Sequence, residues 1–516
     1  MSELWKTLTF VAVALVLTGA AVVSTRDRRV ISETFNDQGQ AFFPDFQDPL
    51  ECTDLEVVDF EPSTATASRF RVKFQNNRWV IPSHYDYPAD ARDRLSKTAA
   101  AVMDLTKDTI RSDRAEDHEE MGVIDPLDTK LTTLQGRGKR ITLRDPSERV
   151  LADFIIGNEI KDRSGQRYVR VPGQKRTYGV RIQAEPSTRF ADWIETNLLK
   201  LEPSRIRKVE FDNYKVNLEQ GYQRGEVLTI RRKDSSDPWT MEELDAGSEL
   251  NTEKLRALTD ALADLKIVGV RPKPAGLTAD LKGDQGIKLS TSSIASLQSK
   301  GFYMTRDGQL LSNQGDVRVF TDEGVVYTIR FGEVVFGSAD ELSAGTPEED
   351  EAKEAAGASS ESKSKKSEGT TENRYVMVTV SFDESLIPKP AEAGDKKEKD
   401  EKTPAASEPL EIPVNPFAPD PNDPAEIAKA KEAKEKAERE QADYEKKLAD
   451  GRKRVKELTE RFAAWYYVVP GDAFRSINLD RAALVRPKKK EDKTPGASGE
   501  TTSGGSLPEE LPPIQP

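Results

Sequence analysis

Apolar and polar residues alternate early in the chain as antiparallel strands require. In residues 70–74, apolar side chains occupy every second position, then Asn76-Asn77 supplies a turn signal and Trp79-Val80-Ile81 begins a returning strand. After Pro82, apolar residues recur at spacings of three and four, which predicts a helix over residues 91–105. The pattern therefore predicts a β-hairpin followed by a helix.

Further strand patterns and a closing helix complete this first unit. The strands are expected at residues 140–143, 154–157, 168–171 and 178–180, and the closing helix carries Phe190, Trp193, Ile194, Leu198 and Leu199. The same order returns later, with a helix over 250–265 among strands at 227–230, 237–241, 317–320, 327–332, 375–378 and 466–469. The spacing between matching segments varies, which indicates insertions within a repeat.

The repeated order predicts an α+β fold with two tandem modules, each an antiparallel sheet with packed helices. The first module is expected over residues 55–215. The second is expected in pieces at 220–337, 374–386 and 466–486. The insertions 338–373 and 387–424 and the tail 487–516 lack the large apolar residues that would offset the entropy of ordering, so disorder is expected there.

Residues 425–465 form one long charged helix in this interpretation, with Asp423 as its N-cap. The last part has a seam at alternating spacings of four and three, made of Tyr444, Leu448, Gly451, Val455, Leu458, Phe462 and Trp465. Two interpretations stay open. The seam packs on its own module, or it pairs with a partner helix or a second copy of the chain.

Residues 8–24 are an apolar run of 17 residues without charge, close to the length that crosses a bilayer. We expect residues 1–29 to be a single transmembrane anchor and residues 30–54 a linker. A cleaved signal peptide is the alternative, since Gly19-Ala20-Ala21 offers small residues for cleavage. The arginines after the run favour a cytoplasmic body, whereas a short N-terminal tail before a long soluble body is typical of export.

Composition limits the chemistry. The 516 residues carry a formal charge of −13 and 32% are charged, so much of the chain is expected to be solvated. One cysteine, Cys52, excludes an intramolecular disulfide, and two histidines exclude multi-histidine metal sites. The acidic balance argues against nucleic-acid binding. No phosphate-loop, zinc-protease or nucleophile-elbow motif occurs in the sequence.

Several segments with candidate chemistry have simpler structural interpretations. Residues 135–139, a basic glycine loop, could hold an anion but are expected to be a flexible turn. His118 lies in an acidic run over 113–120 that could bind a divalent cation, but the run lacks calcium-loop spacing and is expected to be solvated. His84 is expected to be structural. No catalytic, cofactor-binding or metal-ligating residue is assigned, and the expected core anchors are Trp79, Trp193, Trp239 and Trp465.

The series Trp79-Val80-Ile81-Pro82, Tyr87-Pro88-Ala89-Asp90, a helix, and residues 154–157 and 168–171 resembles the bacterial family named domain of unknown function 4340. The resemblance covers about residues 68–215 and extends loosely to a divergent second copy that lacks the Tyr-Pro-Ala-Asp signature. It implies one N-terminal membrane helix, modules on the periplasmic side of the cell membrane, and association with gliding-motility-type ABC exporters. It implies no catalytic residues and no cofactor.

Three functional hypotheses follow. The first is a non-enzymatic, membrane-anchored accessory or scaffold protein that contacts an ABC-type transport complex of the bacterial envelope. The second is an envelope sensor that binds a ligand in a cleft between the two modules. The third is a hydrolase with an unrecognised carboxylate pair, which two facing carboxylates of perturbed pKa in a cleft would support.

A reporter fused after residue 516 tests the orientation of the chain. We expect a reporter that works only outside the cytoplasm to be active, because the resemblance implies export of both modules. A reporter active only in the cytoplasm would show that Arg26, Arg28 and Arg29 had set the orientation instead.

Overall fold

The computed structural model describes residues 37–161, 163–182, 186–283, 289–337, 342, 371–390 and 424–488. The expected anchor at 8–24, most of both expected insertions and nearly all of the tail lie outside these residues. Within the described ranges, no helix is both long enough and apolar enough to cross a membrane. The described chain combines antiparallel sheets with seven α-helices.

The first sheet has nine antiparallel strands. Apolar residues alternate along its central strands, so each of these strands turns one face to the core. The order of the nine strands is β4-β3-β2-β1-β6-β7-β8-β9-β5. Helix α1 (Arg92–Met103) packs Leu95, Ala99 and Val102 on that core, and α2 (His118–Met121) follows β5. The strands are β1 (Asp54–Glu61), β2 (Thr66–Gln75), β3 (Arg78–Ile81), β4 (Tyr87–Pro88), β5 (Thr109–Ser112), β6 (Lys139–Arg144), β7 (Val150–Glu159), β8 (Gln166–Arg170) and β9 (Thr177–Arg181).

The second sheet has eight strands in the order β14-β13-β10-β19-β20-β21-β22-β16. Apart from the short edge strand β4, this order matches that of the first sheet, strand for strand. Its strands are β10 (Ile206–Asp212), β13 (Val227–Arg231), β14 (Thr240–Met241), β16 (Gly269–Pro272), β19 (Asp316–Thr321), β20 (Val325–Phe336), β21 (Glu372–Phe382) and β22 (Trp465–Pro470).

Small hairpins and helices surround the second sheet. The short strands, in three pairs, are β11 (Lys215–Asn217) with β12 (Gly221–Gln223), β15 (Ser248–Leu250) with β23 (Val485–Pro487), and β17 (Phe302–Met304) with β18 (Leu310–Ser312). The helices are α3 (Thr252–Ala263), α4 (Thr291–Ser299), α5 (Pro424–Ala463), α6 (Gly471–Ile477) and α7 (Arg481–Leu484).

Three expectations need correction. The first module does not reach residue 215, since β10 pairs with β13 and β19 inside the second sheet. The expected closing helix is only a 3-10 turn, Phe190–Trp193, and the chain after it bonds to other elements, as when Leu198 N–H donates to Leu265 O. The described part of the linker, from residue 37, packs on the first module and buries Phe42 and Phe46.

One continuous aromatic core joins the two sheets. Tyr87 of β4 meets Trp465 and Tyr467 of β22 edge to face, with ring centroids 5.1 and 6.5 Å apart. Trp193, which is fully buried as expected, packs against Phe70. The interface between the modules is therefore filled by side chains, where a cleft had been one hypothesis. The remaining expected anchors, Trp79, Trp239 and Trp465, are partly buried against the same core.

The seam of α5 packs on the protein's own second sheet, against β20 and β21. Tyr444, Leu458 and Phe462 are buried there, and Tyr444 Oη donates to Glu384. At Gly451 a Cβ atom would stand 2.3 Å from Glu323 O, so glycine permits this close approach of the helix to the turn between β19 and β20. The seam is occupied by contacts within the chain, as the first interpretation predicts.

Replacing Gly451 with alanine tests the seating of this helix. Alanine at an exposed helix position raises stability by about 1 kcal/mol, but a Cβ at this site forces overpacking that costs about 1–3 kcal/mol. We expect Gly451→Ala to lower the free energy of unfolding in chemical denaturation. The control is Ala449→Gly on the exposed face, which should lose about 1 kcal/mol through helix propensity alone. A gain in stability for Gly451→Ala would contradict the seating.

Candidate functional site

Each sheet has an outer face, opposite the shared core, that is covered by the chain between two of its strands. In the second module the cover holds α4, β17 and β18, and an apolar cluster that includes Leu297, Phe302 and Met377 fills the space beneath. In the first module the cover is residues 113–138, and beneath it lies a cavity of about 780 Å³. The two modules therefore differ at corresponding places, and the first module carries the candidate site.

The floor of the cavity carries two arginines, from the strands that flank β7. Ile155 of β7 stands opposite Arg140 of β6 on one side and Arg170 of β8 on the other. Because Ile141, Phe154 and Val169 point into the core, alternation sends these three residues to the outer face. Arg140 and Arg170 both line the cavity.

Arg140 is neutralised by acidic neighbours. Its guanidinium forms ion pairs with Asp125 Oδ2 at 3.0 Å and with Asp153 Oδ2 at 2.7 Å. The hydrogen bond to Asp153 raises the pKa of Arg140. Arg140 is therefore part of a closed ion-pair network that ties the cover, through Asp125, to the sheet.

Arg170 is deeper and has no such partner. Only 6% of its surface is exposed. Nε donates to Val123 O at 2.8 Å and Nη1 to Gln174 O at 3.0 Å, while Nη2 has no acceptor among the described residues. Burial lowers the pKa of Arg170, and the nearby charges of Asp125 and Asp128 offset this only in part. The cavity thus contains a buried guanidinium without a carboxylate bonded to it.

The basic glycine loop at 135–139 has a structural role, because Arg137 fixes the surrounding backbone by hydrogen bonds. Arg137 donates to the carbonyl oxygens of its own loop, so its guanidinium is not open to an anion; the acceptors are Asp125, Pro126, Asp128, Leu131 and Thr133. At Gly136, where φ is +71°, a Cβ would stand 2.3 Å from Glu119 O. The loop is anchored to its neighbours, whereas the sequence predicted a flexible turn.

The acidic run at 113–120 also differs from its prediction. His118 is buried, and its Nε2 donates to Lys175 O at 2.7 Å, where a solvated segment was expected. Glu119 accepts a hydrogen bond from Thr133 Oγ1. Among the described residues, no group of three or more His, Cys, Asp or Glu side chains could hold a metal ion. The run acts as a wall of the cavity.

His84 lies far from this cavity, in the core near the junction of the modules. Its ring stacks on Phe190 with centroids 4.5 Å apart, and Ser83 Oγ lies 2.9 Å from Nδ1. Burial, together with the charge of Arg271, lowers the pKa of His84 to about 3. His84 is therefore neutral at ordinary pH and is structural, as expected.

Two carboxylates face each other in the second sheet. Asp212 of β10 stands opposite Asp316 of β19, and burial, with the charge of Asp316, raises the pKa of Asp212. Asp316 also pairs with Arg330 at 2.9 Å and accepts a hydrogen bond from Tyr214 Oη. Neither aspartate lines the cavity described above or the smaller one beside Tyr214.

The sequence could not reveal Arg170 as a site residue. Its alternation with Val169 and Val171 is that of any strand with one solvated face. Only the fold of residues 113–138 over that face buries it. The available signal was one arginine on the outer face of each of two strands, Arg140 and Arg170. That pattern does not indicate that a segment more than 30 residues away from Arg170 along the chain covers this face.

Residues 79–280 match the family model described as Domain of unknown function (DUF4340). The match confirms the resemblance that the sequence predicts. It includes the Tyr87-Pro88-Ala89-Asp90 segment and the whole cavity of the first module, and it continues into the second sheet as far as β16. Comparison with curated proteins and with solved structures finds no match.

The stability of the protein should depend on pH through His84. The unfolded state binds a proton at His84 below about pH 6.5, and the folded state does so only near its pKa of about 3. Between these values the unfolded state holds more protons, so stability falls by up to about 1.4 kcal/mol per pH unit as pH decreases. His84→Phe keeps the stacking on Phe190 and removes this contribution.

We expect unfolding curves between pH 6.5 and 5 to lose stability less steeply for His84→Phe than for the natural chain. The other titratable groups are the same in both proteins, so the comparison isolates His84. Parallel losses in the two proteins would show that His84 is protonated in the folded state.

Proposed function

We propose that the protein is a non-enzymatic, membrane-anchored accessory or scaffold protein of the bacterial envelope that contacts an ABC-type transport complex. Residues 8–24 would be the anchor, with both modules, built as tandem copies of one fold, on the periplasmic side. The family match over residues 79–280 supports the proposal, because the resemblance to that family implies such an association. The matching strand order of the two sheets supports the duplication.

The projecting half of α5, residues 424–443, is the observation that carries the proposal. At 1.5 Å per residue this half is about 30 Å long. The side chains described from 431 to 443 are exposed or partly exposed, and Tyr444 is the first buried one. Ion pairs such as Lys436–Glu440 follow its surface. A charged helical arm of this kind presents a contact surface away from the body of the molecule.

The base of this arm is held firmly by both modules. Arg454 Nη2 donates to Lys200 O, and Arg461 Nη2 donates to Glu195 O and Asn197 O, in the segment between the two sheets. With the aromatic core at the junction, these bonds fix the arm relative to both sheets. A rigid arm on a rigid body suits a scaffold, because little conformational entropy is lost when the partner binds.

An envelope ligand-binding sensor is the second candidate, favoured by the cavity of about 780 Å³ in the first module. Its volume lies within the range of small-ligand sites. The ligand site of this alternative would lie beneath residues 113–138, and not between the modules as the sequence suggested.

Site-specific photo-crosslinking in intact membranes tests the scaffold proposal. A photoreactive residue in place of Glu438, on the projecting half, should give an adduct with a subunit of an ABC-type transporter. The matched control places the same residue at Lys453, which is exposed on the docked half of the same helix. We expect little or no adduct there.

Adducts only with the chain itself, or equal adducts at both positions, would contradict a transporter contact through the arm. Adducts with a second copy of the chain would point instead to self-association.

A further inference from the structure

We propose that the cavity of the first module binds a carboxylate joined to an apolar group, with the carboxylate at Arg170 and Lys175 and the apolar group against Leu127 and Leu131. Such a ligand would be the C-terminal residue of a partner polypeptide or a free apolar carboxylic acid. If the ligand is the C-terminal residue of a partner polypeptide, the inference rests on the proposed scaffold function, because a scaffold binds other proteins. If the ligand is a free acid, the inference is independent of that function.

Three of the four lysine and arginine side chains that line the cavity have no anionic partner among the described residues, which is the first argument. Arg170 has a free donor at Nη2, and the ammonium groups of Lys130 and Lys175 form no hydrogen bond or ion pair with any described residue. A buried guanidinium without an anionic partner is costly, and a carboxylate compensates it with charge-assisted hydrogen bonds. An anion entering here would find donors that no internal group uses.

The carboxylates of the cavity already have partners, which is the second argument. Asp125 pairs with Arg140, and Glu119 accepts from Thr133 Oγ1. Asp128 accepts from the backbone N–H of Lys130, and Glu116 pairs with Arg114. The lining contains four acidic side chains and four from lysine or arginine, but each acidic one has a hydrogen-bond or ion-pair partner, whereas three of the basic ones have no acidic partner among the described residues.

The rim supplies the apolar part of the recognition. Leu131 is 46% exposed at the edge of the cavity, and Leu127 is half-buried beside it. Two accessible leucines near a buried guanidinium suit a ligand with a carboxylate at one end and a hydrocarbon group next to it. A purely ionic ligand such as a small dicarboxylate would leave this rim uncovered.

Calorimetric titration of the full chain in lipid nanodiscs tests the inference. The probes are N-acetyl-leucine, its amide, the tripeptide acetyl-Gly-Gly-Leu and its amide, and 4-methylpentanoate, with empty nanodiscs as the blank. We expect the acids to bind at least about tenfold more tightly than their amides, because a hydrogen-bonded charge is worth about 1.5–3 kcal/mol. Tighter binding of the tripeptide indicates a polypeptide end, and equal binding of 4-methylpentanoate indicates a free acid.

Variants locate the binding. Arg170→Gln should weaken the binding of the acids by about tenfold or more and leave the binding of the amides unchanged. Arg170→Lys should restore part of the difference in affinity between acids and amides. Lys175→Ala, at an exposed position that the fold does not need, should weaken the acids about threefold. Lys97→Ala, on the exposed side of α1, is the matched control and should change nothing.

Equal binding of acids and amides, or no saturable binding of any probe up to about 10 mM, would overturn the inference. So would unchanged acid binding in both Lys175→Ala and Arg170→Gln. The titrations need no transporter, so their outcome is separate from that of the crosslinking.

Discussion

The contact of Tyr87 with Trp465 and Tyr467 is the interaction on which the rest of the structure depends. It brings the edge of the first sheet against the second, so that both sheets bury their inner faces in one core. Two half-covered sheets would each expose a large apolar face, and their union removes that surface from water. Hydrogen bonds from α5 to the segment around residues 195–200 strengthen this contact, because that segment connects the two sheets.

The two sheets share a strand order but not their outer covers. Both sheets have their outer face shielded by the connection before corresponding strands, β6 in the first sheet and β19 in the second, and in the second module apolar residues such as Phe302 complete the packing. In the first, a shorter connection is held in place by Arg137 and by the glycines near it, and the space beneath remains open. Two sheets with the same strand order therefore differ beneath their covers, since one space is filled by apolar side chains and the other is a cavity.

The parts of the fold that the sequence predicts are those encoded by neighbours along the chain. Alternation located most strands of both sheets, and the period of three and four located α1, α3 and α5, because each signal is read within one element. Residues 206–212, which form β10, are predicted in the wrong module, since one of the two strands that pair with β10, β19, lies more than 100 residues away. The candidate site was missed for the same reason: Arg170 lies in a strand, and what buries it is a separate loop.

The charge balance of the outer faces separates a structural arginine from one that is available to a ligand. Arg330 in the second sheet and Arg140 in the first are both beneath covers, and each forms an ion pair with an aspartate at 2.9 or 3.0 Å. Their positive charges are therefore compensated within the fold. Arg170 lies beside Arg140 across one strand, but its acceptors among the described residues are carbonyl oxygens, which compensate a guanidinium less well than a carboxylate does. Asp128, in the same cover, accepts from the backbone of its own loop, so Arg170 stays without the carboxylate bond that Arg140 has in Asp125.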